Sequence, residues 1–270
     1  MMNDLIQTEI IEKLKQSKKY SNTCDDTIER VVAWAAARHK TPKDVHKAAC
    51  RKLHQVYGAY FTPAALRDVE RLAATLEPGA SDDAVRARCR AILECHVSTR
   101  ERLPILDDVF RAIFDKTGVP STVLDLAAGL NPFALPWMSL PPDALYQPLD
   151  IDRRLIAAVN HFLERIGRPP TAQCRDILVA PPDVEADVVL LLKVLPSLEQ
   201  QEKGAGLRLL RGLRARHAVI SFPAWAMGGR DKGMAAHYHK YMMQIMNDLA
   251  ASFEQLDFPN EIFYIVRLTS

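Results

Sequence analysis

A change of hydrophobic period near residue 122 limits more than any other feature how this chain can fold. Before it, apolar residues recur at helical spacing behind helix-start signals; after it, short runs rich in β-branched residues alternate with helical stretches. Strands that alternate with helices form a mostly parallel sheet with helices on both faces. We therefore predict an α/β fold that is preceded by a smaller all-helical domain.

Local signals define the individual elements. Thr41 and Thr62 each precede a proline, the pattern of an N-cap before the first helical residue. Ser98 and Glu101 form a capping box ahead of a helix that reaches about residue 117. Later helices are predicted at 152–167, 205–215 and 234–253. The predicted strands are TVLDLA, ALYQPL, DVVLLL, HAVISF and EIFYIVRL.

Length and composition fit one large domain or two modest ones. The chain has 270 residues, 48% of them hydrophobic and 25% charged, which excludes a disordered chain. A break at Pro78-Gly79 predicts a helical domain at 1–80 and a second domain at 81–270, whose helical lead-in ends near residue 117. Five cysteines without a C-x-x-C pair predict neither a disulfide framework nor a zinc site. With no export signal and no membrane-spanning run, we expect a cytoplasmic protein.

Basic residues concentrate in two zones of the sequence. Residues 1–60 carry eleven Lys and Arg against seven Asp and Glu, a net charge of +4. Residues 205–241 carry seven against one, a net charge of +6. Two basic zones on a nearly neutral chain predict a polyanionic partner, with solvated helix faces as the alternative interpretation.

The loop after the first predicted strand is the candidate ligand site, because open parallel sheets bind ligands at the carboxyl ends of their strands. Asp125 lies near the strand end, and the small residues Ala127, Ala128 and Gly129 let the backbone approach a ligand. A single glycine is not the dinucleotide fingerprint, so a cofactor without phosphate such as S-adenosylmethionine fits better. Asp150, 21 residues after Gly129, is placed to hold ribose hydroxyls. The alternative is a tight turn that binds nothing.

Several motifs carry a specific resemblance. LDLAAGLNPFAL, HVSTRERL, RDILVAPP, LLKVLPSLEQ and SFPAWAMGGRDKGM, with RHKTPKDVHKAACRKLHQVYGAYFTP in the first half, resemble the motifs of the aminoglycoside-resistance 16S rRNA methyltransferases. The resemblance covers nearly the whole chain. It implies a helical ribosome-binding domain and a Rossmann-like domain that uses S-adenosylmethionine. It also implies methylation of N7 of guanine 1405, in the decoding region of 16S rRNA within the 30S subunit.

The same resemblance assigns roles around the cofactor. Arg102 would bind the cofactor carboxylate, and its alternative is an ion pair with Glu101 or Asp107. Asp176 would accept the adenine amino group, or else serve as a cap or turn acid. Asp125 would position the methionyl ammonium; the alternative is a structural role in which it holds the loop after the first strand in place. The predicted cofactor-binding residues are Arg102, Asp125, Ala127, Gly129, Asp150, Ile151, Asp176 and Ile177.

Three residues are candidates for a direct part in methyl transfer: Lys193, Glu199 and Arg230. Lys193 closes an apolar strand, where the alternative is a lysine that reaches solvent. Arg230 and Lys232 lie in a glycine-rich loop, in which Asp231 replaces the family's usual glycine. Trp225 would stack on the target base or pack under that loop. The candidates for contact with RNA, each otherwise an ordinary surface charge, are Lys18, Lys19, Arg38, His39, Lys40, Arg51, Lys52, Arg230 and Lys232.

The chemistry that this resemblance implies makes modest demands on the protein. N7 of guanine carries an in-plane lone pair, so methyl transfer requires positioning and exposure of the base, without a general base. Two alternatives remain: methylation of another rRNA base or atom, such as adenine N1, and a catalytically silent factor that binds or assembles ribosomes. We expect a monomer with no metal and no membrane contact.

Overall fold

Helices give way to strands at residue 122, as the change of period predicts. The structure is a computed structural model that describes residues 4–58, 61–179, 182–224 and 233–268. The α-helices before the first strand are α1 (Asp4–Lys15), α2 (Asp25–Ala36), α3 (Pro42–Leu53), α4 (Pro63–Ala74), α5 (Asp82–Leu93), α6 (Val97–Arg100) and α7 (Leu106–Thr117). Those that follow it are α8 (Leu135–Met138), α9 (Arg153–Arg165), α10 (Leu195–Gln201), α11 (Ala205–Arg211) and α12 (Gly233–Leu249).

Within the described ranges, the strands form one sheet of seven, in the order β3-β2-β1-β4-β5-β7-β6. Pairing is parallel from β3 to β5, and β7 is antiparallel to both β5 and β6. Strand order reverses between β1 and β4, so the loops after these strands diverge and leave a crevice. The strands are β1 (Thr122–Leu126), β2 (Leu145–Asp150), β3 (Gln173–Cys174), β4 (Glu185–Leu192), β5 (Arg214–Pro223), β6 (Ser252–Asp257) and β7 (Glu261–Arg267).

All five predicted strands are present, whereas two predicted helices are too long. The helix predicted at 205–215 ends at Arg211, and the chain enters β5 at Arg214. The helix predicted at 234–253 ends at Leu249, since Ala250 takes a left-handed backbone (φ +52°) and β6 follows. The edge strand β6 escapes prediction because most of its residues are exposed and show no strict alternation.

Two of the three predicted helix-start signals are confirmed. Thr41 Oγ1 accepts a hydrogen bond from the backbone N–H of Asp44, and Thr62 does the same for the third residue after it. The Ser98 capping box is wrong. Helix α6 begins at Val97, and His96 is its N-cap because its Nδ1 accepts from the Ser98 N–H at 3.3 Å.

Helices α1, α2 and α3 share an apolar core that is separate from the cores beside the sheet. Apolar faces of α1, α2 and α3 pack together around residues such as Leu14, Ile28 and Leu53. Helix α4 instead contributes Leu66 and Val69 to the core beneath the sheet. The separate helical core therefore belongs to α1–α3, which we call the helical domain from here on.

Backbone pairing joins the helical domain to the loop that follows β2. Thr23 and Asp152 form an antiparallel bridge, and the Cys24 N–H donates to the Ile151 carbonyl at 2.8 Å. The sulfur atoms of Cys24 and Cys174 are 2.6 Å apart at this junction. The helical domain is thus fastened directly to the carboxyl ends of β2 and β3.

Two arginines of the second basic zone, Arg214 and Arg216, are paired with acids. Arg214 begins β5 and pairs with Asp183 and with Glu185, the first residue of β4, while Arg216 pairs with Asp187 at 3.5 Å. These groups lie at the amino ends of the strands, so the arginines are balanced by acids on the edge of the sheet opposite the crevice. None of the helices in the described ranges is long and apolar enough to cross a membrane.

Candidate active site

A cavity of about 840 Å³ lies at the carboxyl ends of β1, β2, β3 and β4. Its walls come from the loops that follow these four strands, together with residues of the helical domain. The position is the one that strand topology predicts for a ligand. All eight predicted cofactor-binding residues line it: Arg102, Asp125, Ala127, Gly129, Asp150, Ile151, Asp176 and Ile177.

The loop after β1 has a backbone shaped for close approach. Ala127 and Gly129 both take left-handed conformations, with φ values of +50° and +52°. A Cβ built on Gly129 meets no atom within 4 Å, so the space beside it belongs to the cavity. A side chain at this position is strained whatever the space, because L-residues rarely adopt this conformation.

Asp150, at the end of β2, accepts hydrogen bonds from backbone N–H groups of the loops that follow β1 and β2. Its Oδ2 accepts the Gly129 N–H at 2.9 Å, and its Oδ1 accepts the N–H groups of Ile151 and Asp152 at 2.7 and 3.1 Å. Burial raises the pKa of this carboxyl, while the backbone donors oppose the shift. A carboxylate has about four acceptor sites, so three backbone bonds leave one site on Oδ2 for a hydroxyl.

Asp125 is a buried carboxyl with two partners on one oxygen. Its Oδ2 accepts from the Tyr146 hydroxyl at 2.5 Å and from Asn131 Nδ2 at 2.7 Å. Burial raises its pKa from the ordinary 3.8 to about 7, although both hydrogen bonds favour the charged form. The second oxygen is the one available to a cation, and such a cation would hold the group ionised.

Arg102 is held by Glu261 and has no ion pair with Glu101 or Asp107. Its Nε and Nη2 donate to the two oxygens of Glu261 at 3.0 and 2.6 Å, and Nη1 donates to Asn131 Oδ1 at 3.0 Å. The two side chains are 3% and 0% exposed. Three of five N–H groups are thus used within the described structure, and two remain for a carboxylate.

Lys193 lies beside the same acid at the end of β4. Its Nζ donates to Glu101 Oε2 at 2.8 Å and is 3.5 Å from Glu261 Oε2. Its backbone takes a left-handed conformation (φ +59°), and its N–H donates to Ser221 Oγ and to the Ser221 carbonyl, both at 3.1 Å. The lysine therefore lines the cavity and is not a strand-end residue that reaches bulk solvent.

Asp176 and Ile177 form the wall beyond β3. Asp176 is 3% exposed and its carboxylate pairs with Arg30 of α2, at 2.9 Å from Nε and 2.8 Å from Nη2. Its Oδ1 also accepts the Leu178 N–H at 2.9 Å. Ile177 is buried beside it, so this part of the wall combines an apolar surface with one oriented acceptor.

Glu199 lies outside the cavity and organises the start of α11. Its Oε2 accepts the Gly204 N–H at 2.8 Å, and its Oε1 accepts from the Gly206 N–H and the Tyr241 hydroxyl, both at 2.9 Å. Burial and the nearby carboxylate raise the pKa of Tyr241. These bonds satisfy amide groups at a helix N-terminus and argue against a direct part of Glu199 in methyl transfer.

The predicted RNA contacts divide into four groups. Lys18 and Lys19 are exposed and line the mouth of the cavity; Arg38, Lys40 and Arg51 are exposed elsewhere on the helical domain, and His39 is half-buried. Lys52 is 8% exposed and donates to the Gln201 carbonyl at 3.0 Å, which argues against phosphate contact. Trp225, Arg230 and Lys232 lie outside the described residues.

The site also contains residues that sequence reasoning missed. Asn131 links Arg102 to Asp125, and Glu261 joins Arg102 to Lys193. Asn131 follows Gly129 within the motif already singled out, and Glu261 is the lone acid at the head of an apolar strand. The sequence gives no sign that the Ser221 hydroxyl donates to Glu261.

The donor set fits S-adenosylmethionine part by part. Spare guanidinium N–H groups suit a carboxylate, the free oxygen of Asp125 suits an ammonium, and Asp150 and Asp176 suit hydroxyl and amino donors. Fold and site together define a Rossmann-like methyltransferase that uses S-adenosylmethionine. The family model described as "Ribosomal RNA methyltransferase (FmrO)" matches residues 16–265. The chain therefore belongs to this ribosomal RNA methyltransferase family.

Relatives match along almost their whole length. The 16S rRNA (guanine(1405)-N(7))-methyltransferase of Micromonospora echinospora is 36% identical over 96% of either chain. The enzyme of the same description from Micromonospora rosea is 35% identical over 94% of either chain. Among solved structures, the 16S rRNA methyltransferase RmtF in complex with S-adenosyl-L-homocysteine is 33% identical, with a TM-score of 0.84 and full coverage of both chains.

Proposed function

We propose that this enzyme transfers a methyl group from S-adenosylmethionine to N7 of guanine 1405 in 16S rRNA, acts on 30S subunits in the cytoplasm, and thereby confers aminoglycoside resistance. The observation that carries the proposal is the mixed lining of the cavity. Lys18 and Lys19 stand exposed at the same opening that Arg102 and Asp125 line from within. RNA held on the helical domain therefore lies next to the cofactor. The described activity of the relatives supports the choice of base and atom.

Each end of the cofactor has a proposed partner. Arg102 binds the methionyl carboxylate with its two spare N–H groups, and Asp125 accepts the methionyl ammonium. Asp150 accepts a ribose hydroxyl, and Asp176 accepts the adenine amino group. Ala127, Gly129, Ile151 and Ile177 form the backbone and apolar surfaces between these points.

The residues of this chain orient the reaction and do not move a proton. When bound, S-adenosylmethionine supplies an electrophilic methyl group on its sulfonium. Guanine N7 would attack through its own lone pair as the methyl–sulfur bond breaks, with S-adenosylhomocysteine as the leaving group and the positive charge passing to the guanine. The protein therefore has to place the base in line with that bond and exclude water. Lys193, fixed by Glu101 and Glu261 at the cavity wall, is the proposed contact to the target nucleotide. Arg230 and Lys232 stay predictions for the same nucleotide.

The proposed docking surface is formed by exposed basic residues of the helical domain, at the mouth of the cavity and elsewhere on this domain. It comprises Lys18, Lys19, Arg38, Lys40 and Arg51, all exposed. Lysine and arginine contacts to phosphate release counterions and add a salt-dependent contribution to affinity. Folded rRNA is recognised mainly by shape and backbone, so a surface of this kind suits an assembled subunit.

The function is tested by mapping methylation of 16S rRNA by mass spectrometry after incubation with 30S subunits or with protein-free rRNA. We expect N7-methylguanine at position 1405 in subunits and much slower transfer to free rRNA. Lys18→Glu with Lys19→Glu should weaken subunit binding and flatten its salt dependence, with unchanged affinity for S-adenosylhomocysteine. Methylation of adenine N1 would contradict the choice of base, and no transfer to either RNA would favour the silent factor.

Cofactor affinity should depend on pH through Asp125. Because burial raises its pKa to about 7, the unliganded carboxyl gains protons as the pH falls below that value. Protonation of Asp125 stabilises the folded state relative to the unfolded state, and this contribution is complete below pH 3.8. It is lost as the pH rises through 7. The cofactor ammonium favours the charged form, so affinity for S-adenosylhomocysteine should rise between about pH 5.5 and 8. Calorimetry at several pH values should show this rise in wild type and a flatter profile in Asp125→Asn.

A further inference from the structure

Arg30 reaches from the helical domain into the wall of the cofactor cavity. Its Nε and Nη2 lie 2.9 and 2.8 Å from Asp176 Oδ2, and Nη2 also donates to Gln201 Oε1 at 3.0 Å. The Arg30 side chain is only 18% exposed and lines the cavity. A residue of α2 thus holds the acid that closes the adenine end of the site.

The ion pair with Arg30 determines which oxygen of Asp176 can accept a hydrogen bond from a ligand. Both Arg30 contacts fall on Oδ2, and Oδ1 takes the Leu178 N–H at 2.9 Å. Of about four acceptor sites on a carboxylate, one site on Oδ1 remains. A buried carboxylate without a cation is costly, so the guanidinium also compensates the charge that makes Asp176 an acceptor only.

We infer that Arg30 is a positioning residue for the adenine of the cofactor: it fixes Asp176 so that Oδ1 accepts the 6-amino group. The inference rests on the role proposed above for Asp176. A base with a carbonyl at the same position would place its oxygen, an acceptor, against the Asp176 carboxylate, which is also an acceptor. Binding of such a base is therefore disfavoured. The helical domain therefore contributes to the choice of cofactor as well as to docking on RNA.

A second ion pair across the same junction offers a matched control. Arg153 Nη2 lies 2.8 Å from Asp25 Oδ1, so this pair also joins the helical domain to the segment after β2. Unlike Arg30, Arg153 does not line the cavity. If Arg30 acted only by holding the domains together, loss of either arginine would have the same effect on cofactor recognition.

The experiment compares two ligands by calorimetry on the full-length protein: S-adenosylhomocysteine and S-inosylhomocysteine, which carries a carbonyl in place of the 6-amino group. Wild type should prefer the adenosyl compound by about tenfold or more, the value of one charge-assisted hydrogen bond. Arg30→Met should reduce that preference to about twofold, mainly by weaker binding of the adenosyl compound. Arg30→Lys, which keeps the charge without the fork, should restore part of it. Arg153→Met should keep the wild-type ratio.

The outcomes separate this inference from the proposed function. An unchanged ratio in Arg30→Met, or an equal loss in Arg153→Met, would overturn the positioning role. So would a wild type without preference, because Asp176 would then not read the amino group. In Asp176→Asn, Arg30→Met should have little further effect on the ratio, and a large effect there would also count against the inference. Failure to bind either compound would instead overturn the cofactor assignment itself, whereas methylation at another base would leave the role of Arg30 standing.

Discussion

Glu261→Ala is expected to lower the free energy of unfolding by about 3–5 kcal/mol, the usual cost of removing one partner from a buried ion pair. Glu261 is fully buried and accepts hydrogen bonds from Arg102 and Ser221, with the Lys193 ammonium 3.5 Å away. Its loss leaves the buried Arg102 guanidinium without its carboxylate partner, whereas Lys193 keeps Glu101. Urea unfolding followed by circular dichroism measures the change.

The matched control lies on the neighbouring strand. Glu254 of β6 pairs with Lys116 at the surface, where water screens both charges, so Glu254→Ala should change stability little. Glu261→Gln keeps one acceptor and should fall between Glu261→Ala and wild type. A Glu261→Ala protein as stable as wild type would show that the arginine and lysine find other partners.

Asp150→Ala is expected to weaken S-adenosylhomocysteine binding by about 100-fold, or about 2.8 kcal/mol. The variant loses the proposed acceptor for a ribose hydroxyl, and it frees the N–H groups of Gly129, Ile151 and Asp152 that now converge on the carboxylate. Because these amides define two walls of the cavity, both contact and shape are lost. Calorimetry without RNA isolates this effect from docking.

Two further variants make this expectation specific. Asp150→Asn retains one oxygen acceptor and should bind between wild type and Asp150→Ala. Asp183→Ala removes an exposed acid at the opposite edge of the sheet and should bind as wild type does. Wild-type affinity in a folded Asp150→Ala protein would remove Asp150 from the site.

The parts of the site that depend on local order along the chain were predictable. Strand ends are visible as the last residues of apolar runs, and parallel strands bring their carboxyl ends to one edge. This logic brings Asp125, Asp150 and Asp176 from three separate segments to a single cavity. The shape of the loop after β1 follows from its small residues, of which Gly129 takes the left-handed backbone that glycine tolerates best.

Partners distant in sequence were not predictable. The sequence offers Glu101 and Asp107 as neighbours of Arg102, whereas its actual partner, Glu261, is 159 residues away. Arg30 and Asp176 are 146 residues apart, on elements that pack only in the folded chain. Such pairs depend on the order of strands and the docking of domains, which no local pattern encodes.

The buried position of Lys52 is predictable from the spacing of the apolar residues in α3. Lys52 follows Ala48 by four residues and Ala49 by three, so it lies on the buried face of α3. The spacing of that face predicts a lysine that runs inward. Its pKa is lowered by burial first and by nearby arginines second, in keeping with an ammonium that is removed from water.

The acid-balanced edge of the sheet, around Glu185 and Arg214, has a practical consequence for measurements on single ribosomes. This edge faces away from the cavity mouth and from Lys18 and Lys19. In the docking proposed above, through Lys18 and Lys19, a dye or surface tether attached at this edge would stay clear of the subunit. Asp183, whose side chain is 83% exposed, is a suitable attachment point for following arrival and departure of the enzyme in real time.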